Sequence, residues 1–423
     1  MRVFAAPFLL LLVVLGPPAY AQDVTVRVRV LEEHAPRAVT IDAAEGPVQM
    51  RVGAALLGTL APGEAATAEA NGGDVTVRFG STSETVERVA FVPREGGHLR
   101  VRAGSADRSY QGLVTASPDG RRSRLRLVNT VGLEDYVASV VASEYPFEEV
   151  EGVKAQAVLA RTYALKSRGK YGTYDLVDHV GSQVYRGIGS ETPTARRAAE
   201  ATRGEVLTHE GALIEAVYSS SSGGHTADNE SVWSGRPLPY LRGRHDPFDR
   251  AAPDHEWRTT VDRGQLLDAL GDHYNLRVTG FTVAETSAEG RVRSIRLLGP
   301  RERVVPANDV RLALNAAFGP RLVRSTFFTV DRRGDRYVFQ GRGFGHGVGM
   351  SQYGAREQAR QGYSYRDILA FYFDGTRLAQ HDAATSEPPA YADRRRTPAV
   401  DPIPVRPAST ERTAPARPRR IGW

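Results

Sequence analysis

No cysteine occurs anywhere in the 423 residues of the chain. The chain therefore cannot form a disulfide, and packing alone has to stabilise its fold. The same absence excludes thiolate nucleophiles and metal sites built on cysteine. With 41% hydrophobic residues, the chain can bury one large core or two medium ones.

The first 21 residues have the pattern of a secretory leader. Arg2 gives a positive start, residues 8–15 form an apolar run, and residues 19–21 read Ala-Tyr-Ala, a small-x-small cleavage site. The run is far shorter than the roughly 20 residues of a membrane-spanning helix. We therefore expect a signal peptide at 1–21, no transmembrane segment, and an exported protein that is periplasmic, cell-wall associated or extracellular.

Residues 22–105 are predicted to form a β-rich N-terminal module. Val24, Val26, Val28 and Val30 alternate with polar residues, which is the period of a half-buried strand. Residues 75–78 and 98–102 show similar patterns between glycine-rich turns. We see no chemistry in this module and expect it to be dispensable for activity.

Residues 106–380 mix strand and helix patterns, so the predicted fold class is α+β. Helices are expected at about 148–167, 308–316 and 352–361, and strands within 277–298 and 323–340. Residues 381–423 hold eight of the 25 prolines together with clustered arginines, which predicts a disordered tail.

The net charge of +6 fits a polyanionic partner such as a cell wall, and fits equally a protein with no charged partner. We expect no nucleic-acid partner.

Glu144 lies between an apolar run and Pro146, where neighbouring apolar residues would desolvate its carboxyl and raise its pKa, as a general acid requires. The alternative is a carboxylate that helps to cap the following helix. Lys154 and Arg161 lie seven residues apart on one predicted helical face. If these two cations pointed at Glu144, they would lower its pKa, which is the opposite of what a general acid needs. One of them would then be a substrate-binding residue.

A second polar segment, residues 218–226, contains Ser221 and His225. It lacks the G-x-S-x-G elbow of serine hydrolases, so a serine nucleophile is disfavoured. Its hydroxyl groups and histidine suit a polyhydroxylated ligand, and the alternative is an ordinary polar loop.

In residues 341–354 glycines alternate with other residues, without the G-x-x-x-x-G-K-[ST] of a phosphate loop. Alternate glycines predict one bare face against which a helix or a sugar ring lies closely. Packing alone does not explain His346 and Gln352 within this run.

Six acidic or histidine residues cluster between His245 and Glu256, a composition that raises the possibility of a metal site. No H-E-x-x-H or similar ligand spacing is present, so we interpret the cluster as a solvated acidic loop. No metal and no other cofactor is predicted.

Taken together, six blocks in order resemble the SpoIID/LytB family of bacterial wall proteins. They are 133–137 (LEDYV), 144–146 (EYP), 154–164 (KAQAVLARTYA), 182–185 (SQVY), 221–226 (SSGGHT) and 343–352 (GFGHGVGMSQ). The resemblance implies a lytic transglycosylase acting on the MurNAc–GlcNAc glycan strands of peptidoglycan, with Glu144 as its catalytic residue. Family members act in sporulation, on strands stripped of stem peptides, or enhance wall amidases. Some bind zinc near the segment matching 176–185, where this chain has His179 and no cysteine, so zinc is not carried over.

Hydrolysis of a glycosidic bond normally needs two carboxylates, whereas lytic cleavage needs one, because the muramoyl 6-hydroxyl is itself the nucleophile. A lone Glu144 suits the lytic route. The predicted substrate-binding residues are Lys154, Gln156, Arg161, Gln183, Tyr185, Ser221, His225, His346 and Gln352. The competing hypothesis is a non-catalytic peptidoglycan-binding protein that enhances a cell-wall amidase.

Overall fold

The computed structural model describes residues 24–381 except 95, 121 and 234. The predicted leader (1–21) and, apart from His381, the predicted tail (381–423) lie outside the described residues. Strands and helices alternate through the described chain, so the predicted α+β class is confirmed.

The first part of the described chain is built of strands. They are β1 (Thr25–Val30), β2 (Ala38–Glu45), β3 (Val48–Val52), β4 (Ala55–Leu60), β5 (Ala65–Asn71), β6 (Asp74–Phe79), β7 (Thr82–Val86), β8 (Val89–Pro93), β9 (His98–Ala103), β10 (Ala106–Tyr110), β11 (Leu113–Asp119) and β12 (Arg122–Gly132).

Helices and short strands follow. They are α1 (Leu133–Glu144), α2 (Val150–Lys166), β13 (Leu176–Val177), α3 (Pro193–Ala201), β14 (Glu205–His209), β15 (Ala212–Leu213), β16 (Tyr218–Ser219) and α4 (Asn229–Val232). Short 3-10 helices occupy Ile188–Ser190 and Pro247–Ala251.

The remaining elements begin with β17 (Trp257–Asp262), α5 (Arg263–Tyr274), β18 (Gly280–Thr286), β19 (Val292–Leu298), β20 (Arg303–Pro306), α6 (Ala307–Phe318), β21 (Phe328–Arg333) and β22 (Arg336–Gly341). The chain then forms β23 (Met350–Ser351), α7 (Gln352–Arg360), α8 (Tyr365–Tyr372) and β24 (Arg377–Gln380). The helices predicted at 148–167, 308–316 and 352–361 thus correspond to α2, α6 and α7.

The strands of the first part form two sheets that pack on each other. One has the order β13-β1-β12-β11-β8-β3-β4 and the other β10-β9-β2-β5-β6-β7. Strands β11 and β12 of the first sheet contact β5 and β6 of the second. The alternation predicted for β1 is present, because Val26, Val28 and Val30 are buried on one face.

Strand β1 also ties the N-terminal strands to the helical part of the chain. It pairs antiparallel with β12 and parallel with β13, and the N–H of Leu133 at the start of α1 donates to the carbonyl of Val24 (2.8 Å). A single hydrophobic core includes the β1 valines and helices α1 and α2. The predicted boundary at 105/106 falls in the β9–β10 turn, and the division into domains stays a prediction.

Residues 257–341 form an inserted unit with a hydrophobic core of its own. Two three-stranded sheets, β17-β22-β21 and β18-β19-β20, pack with α5 and α6. The insertion separates residues 218–227 from residues 343–351, which nevertheless lie side by side. Strand β16 pairs parallel with β23, and isolated bridges join Ser221 to Phe344 and Ala227 to Val348.

The geometry of β1 argues against a dispensable N-terminal module. We expect a protein of residues 106–381 to show no cooperative thermal unfolding, because β12 and β13 lose the strand between them. Each of the three buried β1 valines contributes roughly 1.5–3 kcal/mol, which is a large share of a total stability of about 5–15 kcal/mol. A protein of residues 24–381 is the control and should melt like the full chain. Cooperative melting of 106–381 at the same temperature would contradict this account.

Candidate functional site

Glu144 is the last residue of α1, and its carboxyl is held in a partly buried position. The backbone N–H of Val184 donates to its Oε1 (2.6 Å), and Nε2 of Gln352 donates to its main-chain carbonyl (2.9 Å). The following helix α2 begins after Glu149, so Glu144 does not cap it. The capping interpretation is therefore wrong.

Burial raises the pKa of Glu144 above its ordinary value, and this effect exceeds the lowering by the Val184 N–H and by the charge of Arg186. Lys154 and Arg161 do not act on Glu144. Among the described residues, no second carboxylate is hydrogen-bonded to it. A partly buried carboxyl that stays protonated to higher pH is suited to proton donation.

A line of buried hydrogen bonds runs beside Glu144. The hydroxyl of Tyr136 donates to Oε1 of Gln183 (3.0 Å), and Nε2 of Gln183 donates to the hydroxyl of Tyr218 (3.1 Å). The charge of Glu144 contributes to raising the pKa of both tyrosines, after burial, so both hydroxyls stay neutral. Gln183 thus orients the segment whose next residue, Val184, binds Glu144.

Tyr136, Tyr218 and Val184 were not among the predicted site residues. Tyr136 lies in the block 133–137, so attention to its aromatic hydroxyl would have selected it. Val184 acts through its backbone, which no side-chain pattern reveals. The predicted Tyr185 is buried against Tyr136, with ring centroids 5.2 Å apart, and its hydroxyl donates to Oδ1 of Asn129 (2.7 Å).

The glycine run (residues 341–354) packs against residues 217–223, which are called the serine segment below. Gly343, Gly345, Gly347 and Gly349 all have positive φ, between 71° and 106°. A Cβ on Gly349 would lie 2.2 Å from the carbonyl oxygen of Val217. The glycines therefore allow a close approach, but the neighbour is residues 217–223 rather than the predicted helix or sugar ring, and the backbone of the glycines is left-handed.

His346 projects from the glycine run towards Trp233, with ring centroids 4.8 Å apart. Its Nδ1 accepts the N–H of Val348 (3.1 Å), which requires an unprotonated Nδ1. Burial, and then the charge of Arg311, lower the pKa of His346 to about 3. The ring is therefore neutral at physiological pH and suited to hydrogen bonding and stacking rather than to carrying charge.

The predicted solvated acidic loop is wrong, because Asp246, Asp249 and Asp254 are all buried. Asp249 accepts hydrogen bonds from the hydroxyls of Ser221 (2.7 Å) and Ser351 (2.6 Å) and from the backbone N–H of Ser222 and Gly223 (both 2.9 Å). Burial raises the pKa of Asp246 to about 6, with a further contribution from Asp249. Asp249 therefore joins residues 221–223 to Ser351 in β23, the strand before α7.

Ser221 and His225 make structural contacts at this junction. The Ser221 hydroxyl is used by Asp249. His225 is partly exposed, with Nδ1 2.7 Å from the carbonyl of Thr226, and its own carbonyl accepts a hydrogen bond from Nη2 of Arg291 (2.8 Å). Ser221 is thus engaged in holding the segment, whereas His225 keeps an exposed edge.

The side chains of Arg161 and Lys154 form ion pairs with other residues of the protein. The Arg161 guanidinium is fully buried and donates to both carboxylate oxygens of Glu134 (2.9 and 2.5 Å) and to the carbonyls of Ala199 and Glu205. Lys154 pairs with Glu151 (2.7 Å). These contacts give Arg161 a structural role, which differs from the predicted contact with substrate.

Gln156 is fully buried in α2, and both polar atoms of its side chain lack a hydrogen-bond partner among the described residues. Of the predicted binding residues, Gln352 and Gln183 lie at Glu144. His346 is bonded to the main-chain carbonyl of Tyr218, whose hydroxyl accepts a hydrogen bond from Gln183. Within the described ranges, no three His, Asp or Glu side chains are arranged to hold a metal ion.

Comparison with known proteins finds similarity in two regions of the chain and to several whole proteins. The family model described as stage II sporulation protein (SpoIID) matches residues 121–209, and a domain of unknown function matches residues 248–349, which overlap the inserted unit. Stage II sporulation protein D of Bacillus amyloliquefaciens is 30% identical, over 71% of this chain and 90% of the relative. Stage II sporulation protein D of Bacillus subtilis is 31% identical, over 62% of this chain and 78% of the relative.

The amidase enhancer of Bacillus subtilis is 32% identical over 57% of this chain, but the match covers only 40% of that relative. The two sporulation proteins are matched over most of their length. The chain therefore belongs to the SpoIID family.

We expect Arg161→Ala to lower the free energy of unfolding by about 3–5 kcal/mol, because Glu134 and two carbonyls lose a buried cationic partner. Lys154→Ala is the matched control: its ion pair is partly exposed, so the loss should stay below about 1 kcal/mol. Denaturant unfolding of both variants measures the difference. Equal stabilities, with a binding defect confined to Arg161→Ala, would instead support the predicted substrate contact.

Proposed function

We propose that the protein is a lytic transglycosylase that cleaves peptidoglycan glycan strands, with Glu144 as the single acid/base. The observation that carries the proposal is the partly buried carboxyl of Glu144, whose pKa is raised by burial and which has no carboxylate partner among the described residues. The protein's membership of the SpoIID family supports the cell wall as its place of action.

The protonated carboxyl of Glu144 donates its proton to the glycosidic oxygen as the bond from that oxygen to the muramoyl C1 breaks. The 6-hydroxyl of the same muramoyl residue then attacks C1 and transfers its proton to the Glu144 carboxylate. The product is a 1,6-anhydro ring, and the enzyme returns to its starting state without water. One carboxyl serves both steps, in contrast to hydrolysis with two carboxylates.

We propose that the partly exposed rings of Trp233 and His346 supply the substrate side of the site. Both nitrogens of His346 are bonded within the protein, so its ring and that of Trp233 offer aromatic surface, which suits the apolar face of a sugar ring. Gln352 fixes the main chain of Glu144, and Val184 fixes its side chain, so the carboxyl is held ready before substrate arrives.

We propose export as well, since peptidoglycan lies outside the cytoplasmic membrane. No helix in the described part of the chain is long and apolar enough to cross a membrane.

The second candidate function is enhancement of a cell-wall amidase without glycan cleavage, and the similarity to the Bacillus subtilis amidase enhancer favours it. The same site would then bind glycan while Glu144 contributed no proton. Incubation of the purified protein with sacculi separates the two, because only a lytic transglycosylase releases anhydromuramoyl products by itself.

We expect Glu144→Gln to lower release of anhydromuramoyl products at least ~10²-fold, because the amide cannot deliver a proton. The variant should be as stable as the wild type or more so at pH 7. Because the pKa of Glu144 is raised in the folded state, the wild-type protein loses stability as pH rises from the unfolded-state pKa through the folded-state pKa of this group. The neutral amide of the variant does not titrate and causes no such loss. This gain should disappear below the ordinary glutamate pKa.

The matched control is Glu148→Gln, an exposed carboxylate four residues further on, which should retain full activity. Product masses and melting temperatures provide the readouts. Wild-type product release by Glu144→Gln would eliminate the acid/base assignment.

The pH profile of kcat/KM should fall above the raised pKa of Glu144, by about tenfold per pH unit, because only the protonated carboxyl donates. Since the charge of Arg186 lowers this pKa, Arg186→Ala should move the falling limb to higher pH. The exposed Arg301→Ala should leave the limb in place. A limb that moves to lower pH in Arg186→Ala would contradict the assignment.

A further inference from the structure

The inserted unit contains a cavity of about 730 Å³ that the proposed cleavage does not use. It lies between the ends of β17, β21 and β22 and the turn at Glu289 and Gly290. Phe327 and Trp257 supply apolar lining, and the Trp257 indole donates to the carbonyl of Gly343 (2.9 Å). The cavity thus adjoins the start of the glycine run. Near the end of the same run, Gln352 donates a hydrogen bond to the main chain of Glu144.

Three described residues in or next to the cavity wall have buried polar atoms without hydrogen-bond partners. Among the described residues they include Oε1 of Glu289, Nε and Nη1 of the fully buried Arg291, and Oγ1 of Thr326. Their two segments are joined, because the N–H of Val292 donates to the carbonyl of Thr326 (2.8 Å). Only Glu289 among these residues lines the cavity, because the Arg291 guanidinium lies inside the fold and its Nη2 donates to the carbonyls of Ser222 and His225. Buried polar groups are almost always hydrogen-bonded in folded proteins, so Oε1 of Glu289 is an acceptor that a ligand in the cavity would satisfy.

The charges that line the cavity are of both signs and are not paired with each other. Within the described part of the chain, neither Arg258 nor Arg342 forms an ion pair, and neither Glu256 nor Glu289 does. The Arg342 guanidinium lies 4.1 Å from the centroid of the Phe327 ring, which holds it at the cavity wall. A ligand that matches this lining carries an ammonium and a carboxylate, joined by an apolar stretch that lies against Phe327 and Trp257.

We propose that the cavity binds a peptide arm of the cell-wall polymer, with its free ammonium at Glu289 and a carboxylate at Arg342 and Arg258. A strand of N-acetylated sugars has no ammonium to offer Glu289, so the lining favours the peptide over the glycan. This inference rests on the proposed action at peptidoglycan and adds a second contact with it. It holds for cleavage and for amidase enhancement, because both require the protein to remain on the wall.

The test is calorimetric titration of the full chain with disaccharide fragments of sacculi that still carry the peptide arm, so that cutting the arm does not create a new ammonium. We expect a Kd below about 1 mM, and at least tenfold weaker binding after N-acetylation of the peptide. Glu289→Gln and the exposed Arg342→Gln should each weaken binding to a similar degree. The exposed Glu302→Gln should bind like the wild type.

Three results would overturn the inference: no binding of the peptide by the wild type, binding unchanged in both cavity variants, or glycan strands freed of peptide that bind and are lost in both variants. Melting temperatures of the variants show that they remain folded. Failure of the cleavage proposal is a separate outcome, because Glu144→Gln should still bind the peptide. Normal cleavage without peptide binding would remove only this inference.

Discussion

The buried carboxylate of Asp249 joins parts of the chain that are far apart in sequence. It accepts hydrogen bonds from Ser221 in the serine segment and from Ser351 beyond the inserted unit, and His255 lies 3.2 Å from it. An unpaired buried carboxylate is costly, so the donors and Asp249 require one another. Because Ser351 is fixed in this way, the next residue, Gln352, meets the main chain of Glu144.

The chemistry proposed for Glu144 follows from this frame together with the strands of the first part. Strand β12 runs directly into α1, and α1 ends at Glu144, so the sheet sets the position of the carboxyl. One backbone N–H from Val184 orients it without neutralising it. A stronger ionic partner would hold the carboxyl ionised, whereas burial with one neutral donor keeps it protonated over a wider range of pH.

Local patterns in the sequence predicted the local structure well. The strand predicted from the valine alternation (β1) and the helix predicted at about 148–167 (α2) each follow from a short period, and both are observed. The sequence did not indicate which buried groups pair over long distances. Arg161 is of a residue type that often binds ligands. Its actual partner, Glu134, lies 27 positions away in the sequence, so no local pattern reveals the pair. The burial of Asp249 likewise depends on donors on both sides of the inserted unit.

Direct titration of the Glu144 carboxyl tests the central claim most closely. The carboxyl carbon resonance, assigned by its loss in Glu144→Gln, can be followed against pH by NMR in the free protein. We predict a midpoint above the ordinary glutamate pKa of about 4.3, since burial dominates the environment of this group. A midpoint at or below that value would show that Glu144 is an ordinary ionised carboxylate and would contradict its role as the proton donor.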